Sequence, residues 1–334
     1  MLNYSAHAIS YLTIRICHLP SAIGHLPSAI CHPPHELSVK AEIREIHDLM
    51  EREGYVADRS IATAVYLAMA LKKPLLVEGH PGVGKTDVAK VLARILETEL
   101  IRLQCYEGLD SATALYEWNY PKQLLRIKIE ESSPRSPEEK EASIFGEPFL
   151  LKRPLLQAIS HEGPKAPVLL IDEVDRSDEE FEAFLLEVLS DFQVTIPEIG
   201  TIIATRPPAV VLTSNRSREL SEALRRRCLY LWIDYPSFEK ELCILRSRVP
   251  GMNERLAVEI ASFMQSLRKG MLAKTPGISE TLDWAVALVT LHAAHLDADA
   301  VRETLGCFLK DEKDVRAVDA AIGSGALEGM LALS

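Results

Sequence analysis

The chain has 334 residues, 47% of them apolar and 25% charged, the balance of an ordinary globular protein with enough apolar surface for a sizeable core. Its 37 basic residues against 48 acidic ones leave a net charge of −11, which argues against a general binder of phosphate backbones and against a nucleic-acid partner. Six cysteines without a C-x-x-C pair make neither a disulfide framework nor a zinc ribbon and favour a reducing compartment. The longest charge-free run, 16–35, contains four prolines and is no membrane span. The expectation is a soluble, cytoplasmic, acidic protein.

Residues 1–35 hold no Asp or Glu, one basic residue (Arg15) and five of the ten histidines. His-Leu-Pro-Ser-Ala-Ile occurs at 18–23 and again at 25–30, and His32-Pro33 opens a third copy. A proline in each copy excludes a coiled coil, because each removes a helix donor and clashes with the preceding turn. Cys17, His18, His25, Cys31, His32 and His35 admit a soft-metal reading, and the stretch also admits a targeting peptide. The ligand spacing follows the repeat rather than a tetrahedral site, so residues 1–38 are expected to be a disordered tail.

Ordered structure is expected from about Val39. Ile43, Ile46 and Met50 recur at helical spacing from Lys40 to Glu53, where Gly54 ends the run. Ala57 to Leu71 is expected to form a second helix with Ile61, Val65 and Ala68 on one face. Leu75-Leu76-Val77 then gives a short buried strand that runs into Gly79-His80-Pro81-Gly82-Val83-Gly84-Lys85-Thr86, followed by Val88, Val91, Leu92 and Ile95 at helical spacing. This is G-x-x-x-x-G-K-T between a strand and a helix, the context the phosphate-binding motif requires. Glycines let successive backbone N–H groups point inward at phosphate oxygens, and the helix N-terminus adds positive potential. Lys85 is placed to neutralise β- and γ-phosphates, and the Thr86 hydroxyl to ligate Mg²⁺.

Val168-Leu169-Leu170-Ile171-Asp172-Glu173 is an apolar strand ending in two acids. Downstream of a phosphate loop, Asp172 is expected to hold the magnesium through water and Glu173 to polarise the attacking water. Ser177-x-x-Glu180 is expected to form a capping box ahead of a helix burying Phe181, Phe184, Leu185, Val188 and Leu189. Gln193–Ile196 and Thr201–Ala204 predict a hairpin across Pro197-Glu198-Ile199-Gly200. Ala209–Leu212 is another strand, ending in Thr213-Ser214-Asn215. A neutral amide there, beside the acid-tipped strand, can orient water against the γ-phosphate; taken singly, Asn215 is equally a turn residue.

The ordered series of both phosphate-site motifs, a terminal Asn215 and Glu222-Ala223-Leu224-Arg225-Arg226-Arg227-Cys228 resembles an AAA+ ATPase. Asp172-Glu173-Val174-Asp175-Arg176, with Leu185-Leu186-Glu187 and Gln193-Val194-Thr195-Ile196, is similar to the MoxR group. Gln104–Asp110 and Tyr116–Tyr120 look most like CoxD-type proteins. The resemblance spans about 39–310 and implies an α/β P-loop sheet flanked by helices over 39–235, including a helix-2 insert, and a smaller all-helical lid over 236–334. It further implies ATP and Mg²⁺ as cofactors and a homo-oligomeric ring, most often of six subunits. Arg227 would reach into the neighbouring subunit's site as an arginine finger, with Arg226 as reserve. Partners implied by the same resemblance are a von Willebrand A-domain protein and a client metalloenzyme such as a molybdenum-containing carbon monoxide dehydrogenase, remodelled in a chaperone-like way.

One departure from that family stands out. The usual arginine near the start of a lid helix is missing from Pro276–Trp284, where Lys274 is the nearest cation along the chain and Ser279 the expected cap; an ammonium does not replace a planar guanidinium. The polar, proline-broken stretch 130–140 is expected to be a mobile loop or linker, and the aromatics at 116–120 to be packing. Three other functions stay open: a nucleic-acid motor, a small-molecule phosphotransferase, which leaves Asn215 and Arg227 without roles, and an ATP-gated binding switch with little turnover. No base-reading residue is identifiable.

Overall fold

The computed structural model describes residues 35–130, 136, 144–270, 272–325 and 329. The histidine and cysteine repeat before His35 and nearly all of the polar stretch 130–140 lie outside the described residues. Contacts divide the chain into two units, one built from 59–78 and 89–231 with the described residues up to 49, the other from 50–58, 79–88 and 232 onward. Among the described residues, no helix is long and apolar enough to cross a membrane.

The chain opens with helix α1 (His35–Arg52), starting earlier than the periodicity predicts, and α2 (Arg59–Leu71). The first unit is organised by five strands, β1 (Leu75–Gly79), β2 (Leu100–Gln104), β5 (Val168–Asp172), β8 (Ala209–Ser214) and β9 (Leu229–Ile233), in the order β2-β5-β8-β1-β9. The pairs β2–β5, β5–β8 and β8–β1 are parallel. Every residue of β1 and β5 is buried, as a parallel sheet covered on both faces demands of its central strands. The register sets Glu78 opposite Ser214 and Ile171 opposite Leu212, so β1, β5 and β8 finish level at one edge. That edge is where open parallel sheets collect their functional groups.

Helix α3 (Lys85–Leu96) follows β1, and α4 (Ser111–Leu115), capped by Asp110, follows β2. A small antiparallel pair, β3 (Tyr116–Trp118) with β4 (Leu150–Lys152), brackets α5 (Tyr120–Glu130) and precedes α6 (Pro154–Ile159). Sequence periodicity gives no hint of this pair. Trp118 is buried and meets Tyr116 and Phe145 edge-on, so these aromatics are packing residues. Helix α7 (Glu179–Asp191) lays Phe181, Leu185, Val188 and Leu189 into the same core as Leu169 and Ile171. Its cap is Asp178, whose carboxylate accepts the Phe181 N–H at 2.8 Å, not Ser177. The Ser177 hydroxyl is spent on the Val174 carbonyl at 2.7 Å, which closes the turn after β5 and moves the helix start by one residue. The hairpin of β6 (Gln193–Ile196) and β7 (Gly200–Ile203) forms as the alternation predicts, one residue earlier on its second strand, and α8 (Glu222–Arg227) leads into β9.

The second unit contains α9 (Phe238–Arg248), α10 (Glu254–Lys269), α11 (Ile278–Thr290), α12 (Ala298–Phe308) and α13 (Glu312–Gly323). Their starts carry local caps at Ser237, Asn253, Asp297 and Asp311. Helix α11 begins one residue ahead of Ser279, and its cap is Gly277, whose N–H is taken by the Glu280 carboxylate at 3.0 Å. The core is aromatic: Trp284 packs against Phe308 and Phe263 at 4.4 and 5.2 Å between ring centres, and its indole N–H donates to Thr304 Oγ1 at 2.7 Å. Replacing Trp284 with Ala removes the largest fully buried side chain among the described residues and one hydrogen bond to Thr304, whose hydroxyl still donates to the Ala300 carbonyl at 2.6 Å. Denaturant unfolding should show a loss of about 3–5 kcal/mol; a loss below ~1 kcal/mol would contradict this account of the core.

Candidate active site

The glycine loop belongs to the second unit. Gly82 and Gly84 have φ of 73° and 89°, a left-handed backbone that side chains resist. At Gly82 space adds to the conformational demand, because a Cβ would lie 2.4 Å from Ser279 Oγ. Lys85 is buried, and its ammonium donates to the carbonyls of Gly79 and His80 at 2.9 and 2.7 Å, which curls the loop around its own lysine. His80 stacks on Tyr235, ring centres 4.5 Å apart, so it is a packing residue of the loop. Val83 is buried, while Pro81 is exposed. Thr86 stands on the first turn of α3.

The start of α11 is fastened to this loop. Ser279 N–H donates to the Gly82 carbonyl at 3.0 Å, and a Cβ on Gly277 would lie 2.7 Å from the Pro81 carbonyl. The turn at Pro276-Gly277 is held from behind by Arg268, whose guanidinium reaches the Pro276 carbonyl at 2.9 Å. Arg268 is thus the cation at the start of α11, not Lys274. It is not available for other duty, because it forms two hydrogen bonds of 2.6 and 2.7 Å to Glu241. Glu241, wholly buried, also accepts from Thr281 and Gln265. A cleft lined by Tyr55, Val56, Gly84, Ile233, Ile278 and Leu282 opens beside the loop within the same unit. Apart from Gly84 of the glycine loop, these residues belong to no motif that the sequence displays.

The acid pair belongs to the first unit. The Asp172 carboxylate is almost wholly buried and accepts from Thr213 Oγ1 at 2.5 Å and from Arg102 Nε and Nη2 at 3.0 and 2.6 Å. Thr213 Oγ1 in turn accepts the Glu173 N–H at 2.9 Å. Glu173 itself is left-handed (φ 55°), and its carboxylate meets Arg176 Nε at 3.0 Å. A non-glycine residue persists in that conformation only where its surroundings impose it. The buried Cys105 thiol, at the end of β2, is pushed up to about 12 by burial, with Asp172 nearby adding to the shift.

Asn215 follows β8, half-buried. Its loop is tied to the turn after β5, since Asp175 Oδ2 accepts both the backbone N–H and the hydroxyl of Ser217 at 2.8 and 2.6 Å. The structure therefore gathers Asp172, Glu173 and the Asn215 loop into one polar cluster. Arg227 is exposed and donates to Ser190 Oγ. Arg226 is 77% exposed on its ion pair with Glu222. Arg225 turns toward Glu78, 1% exposed, at 3.8 Å, as does Arg216, and Tyr230 O–H donates to the same carboxylate at 3.1 Å. Arg102, Asp175 and Glu78 escaped the sequence reading; an acid directly before the glycine loop and a third acid after Asp172-Glu173 were the visible signals. The hard oxygens of the Asp172 carboxylate in the first unit, and separately the Thr86 hydroxyl in the second, are of the kind a small hard divalent cation such as Mg²⁺ takes.

Residues 75–232 match the model of the ATPase family associated with various cellular activities (AAA). They form an AAA-type P-loop ATPase domain, and the protein is an ATPase. A protein of Staphylococcus epidermidis is 24% identical over 276 residues, covering 80% of this chain and 95% of its own length. One from Staphylococcus aureus is 22% identical over 263 residues, covering 75% and 90%. Among solved structures, a point mutant of Thermotoga maritima RuvB is similar with a TM-score of 0.45 and 20% identity, over 89% of this chain and 83% of that one.

The buried Glu241–Arg268 pair gives a direct test of how the α11 start is held. Arg268→Ala leaves an uncompensated buried carboxylate and should cost about 3–5 kcal/mol in urea unfolding. Arg268→Met combined with Glu241→Leu should recover part of that loss. If the single change is as mild as a surface substitution, the pair does not hold the turn.

Proposed function

We propose that this ATPase couples Mg²⁺-dependent hydrolysis of ATP in a cytoplasmic homo-oligomeric ring to the chaperone-like remodelling of a client metalloenzyme, in the manner of MoxR-type and, more narrowly, CoxD-like proteins. The hydrolytic part rests on one observation: Asp172, Glu173 and the Asn215 loop are locked together through Thr213 and Asp175 at the sheet edge from which β1 enters the glycine loop. Backbone N–H groups of 82–86 and the Lys85 ammonium bind the phosphates, and the cleft beside Gly84 receives the base. Thr86 and Asp172 hold the cation, which when bound offsets phosphate charge. Glu173 takes a proton from water, after leaving Arg176, while Asn215 orients that water. Arg227, exposed at the end of α8, serves the neighbouring subunit.

The client reading rests on the sequence blocks at 104–110 and 116–120. It agrees with a net charge of −11, which disfavours a nucleic-acid track. A von Willebrand A-domain protein is the adaptor this reading expects. One observation favours the rival reading, a nucleotide-gated switch: Arg268 of α10, the arginine that reaches the turn before α11, is paired with the buried Glu241 and is not free to serve as the lid cation that the family usually aims at the γ-phosphate.

Phosphate release decides between them. Glu173→Gln should retain nucleotide while losing turnover, and Arg227→Ala should lose on the order of 10³-fold or more, recovered by mixing with a Glu173→Gln chain that presents an intact arginine. Equal, negligible release by wild type and Glu173→Gln selects the switch. For the client, deleting the gene in its host should leave molybdenum hydroxylases under-loaded with metal, measured as metal content per purified enzyme; fully loaded, active enzyme rules the assignment out.

A further inference from the structure

We propose that Arg102 is the resident counter-cation of Asp172, and that the divalent metal must displace it, so that this arginine sets the metal requirement of the site. The inference rests on the reading of Asp172 as the metal-side acid.

Asp172 is 5% exposed, and a carboxylate so placed is costly to keep ionised unless it is paired and hydrogen-bonded. Thr213 satisfies Oδ1, while both hydrogen bonds from Arg102, 3.0 and 2.6 Å long, fall on Oδ2. The register makes this pairing possible. Gln104 stands opposite Asp172, and Arg102 lies two residues earlier on the same face of β2, from where a long side chain reaches along the strand. Arg102 is 52% exposed, unlike its partner, so water solvates the guanidinium once it lets go. It also has an alternative anchor, since Nη2 donates to Gln104 Oε1 on its own strand.

A cation or its bound water approaching Oδ2 meets both an occupied acceptor and a positive charge. The metal-competent state is then only the fraction of molecules in which Arg102 has moved away, and apparent affinity falls by that fraction. Without metal, the same pair keeps a buried carboxylate compensated. The Arg268–Glu241 pair of the second unit differs in this respect. There both partners are buried, at 6% and 0% exposure, and neither has water to retreat into.

The test uses the full chain with a fluorescent ADP, titrating Mn²⁺ and reading bound metal by electron paramagnetic resonance. Arg102→Met should lower the Mn²⁺ concentration for half-occupancy about tenfold, equivalent to ~1.4 kcal/mol. Arg102→Lys should fall between, because a single ammonium cannot reproduce the two-pronged contact. Thermal melting supplies a second readout: in chelator Arg102→Met should melt below wild type, and saturating Mn²⁺ should raise its midpoint by more than it raises that of wild type. Unchanged half-occupancy in both variants, or weaker Mn²⁺ binding by Arg102→Met, overturns the proposal. Asp172→Asn separates the two layers. If it too leaves Mn²⁺ occupancy at the wild-type level, the reading of Asp172 fails; if it loses the metal while the Arg102 variants do not differ from wild type, only the displacement fails.

Discussion

Placing a carboxylate at the buried tip of a central strand constrains everything within hydrogen-bonding reach, because the charge has to be matched atom by atom. Asp172 is matched from two sides, by a threonine on β8 and an arginine on β2, and so the parallel register of three strands becomes a chemical requirement as well as a packing one. Thr213 carries that requirement onward. Its single hydroxyl proton goes to Asp172, and its lone pair receives the backbone of Glu173, which holds the second acid in a conformation it would not adopt alone. Asp175 then secures the loop of Asn215 through Ser217. Three candidate functional residues depend on a short chain of polar contacts that starts at one carboxylate.

The second unit solves a related problem differently. Glu241 and Arg268 neutralise each other out of reach of water, and the spare donors of the guanidinium fix the carbonyls of the turn where α11 begins. That turn can lie against Pro81 and Gly82 only because Gly277 and Gly82 both lack a side chain. Shape and backbone bonding, not an added charge, join α11 to the glycine loop.

The α/β sheet was legible because short apolar runs, 75–77 and 168–171, are closed at once by acids and a glycine, the pattern of buried parallel strands that end at a loop. Local caps were harder. Ser177 and Ser279 have the right chemistry for a helix start, but Ser177 closes a turn and Ser279 gives its N–H to Gly82, so the first cap falls one residue later, at Asp178, and the second two residues earlier, at Gly277. Arg102 and Arg268 were invisible for another reason. Their partners are 70 and 27 residues away, and only strand register in one case and helix packing in the other bring them together. The small β3–β4 pair, three residues a side, is too short for alternation to announce it.

Glu78 has a consequence beyond filling space. It is a single negative charge equidistant, at 3.8 Å, from Arg216 beside Asn215 and from Arg225 beside the exposed arginines of α8. The two guanidiniums face different oxygens, Arg216 Nε toward Oε2 and Arg225 Nη1 toward Oε1, so one carboxylate can serve both at once. A buried acid one residue ahead of the glycine loop thereby ties the loop after β8 to helix α8, so that removing its charge would release two elements together.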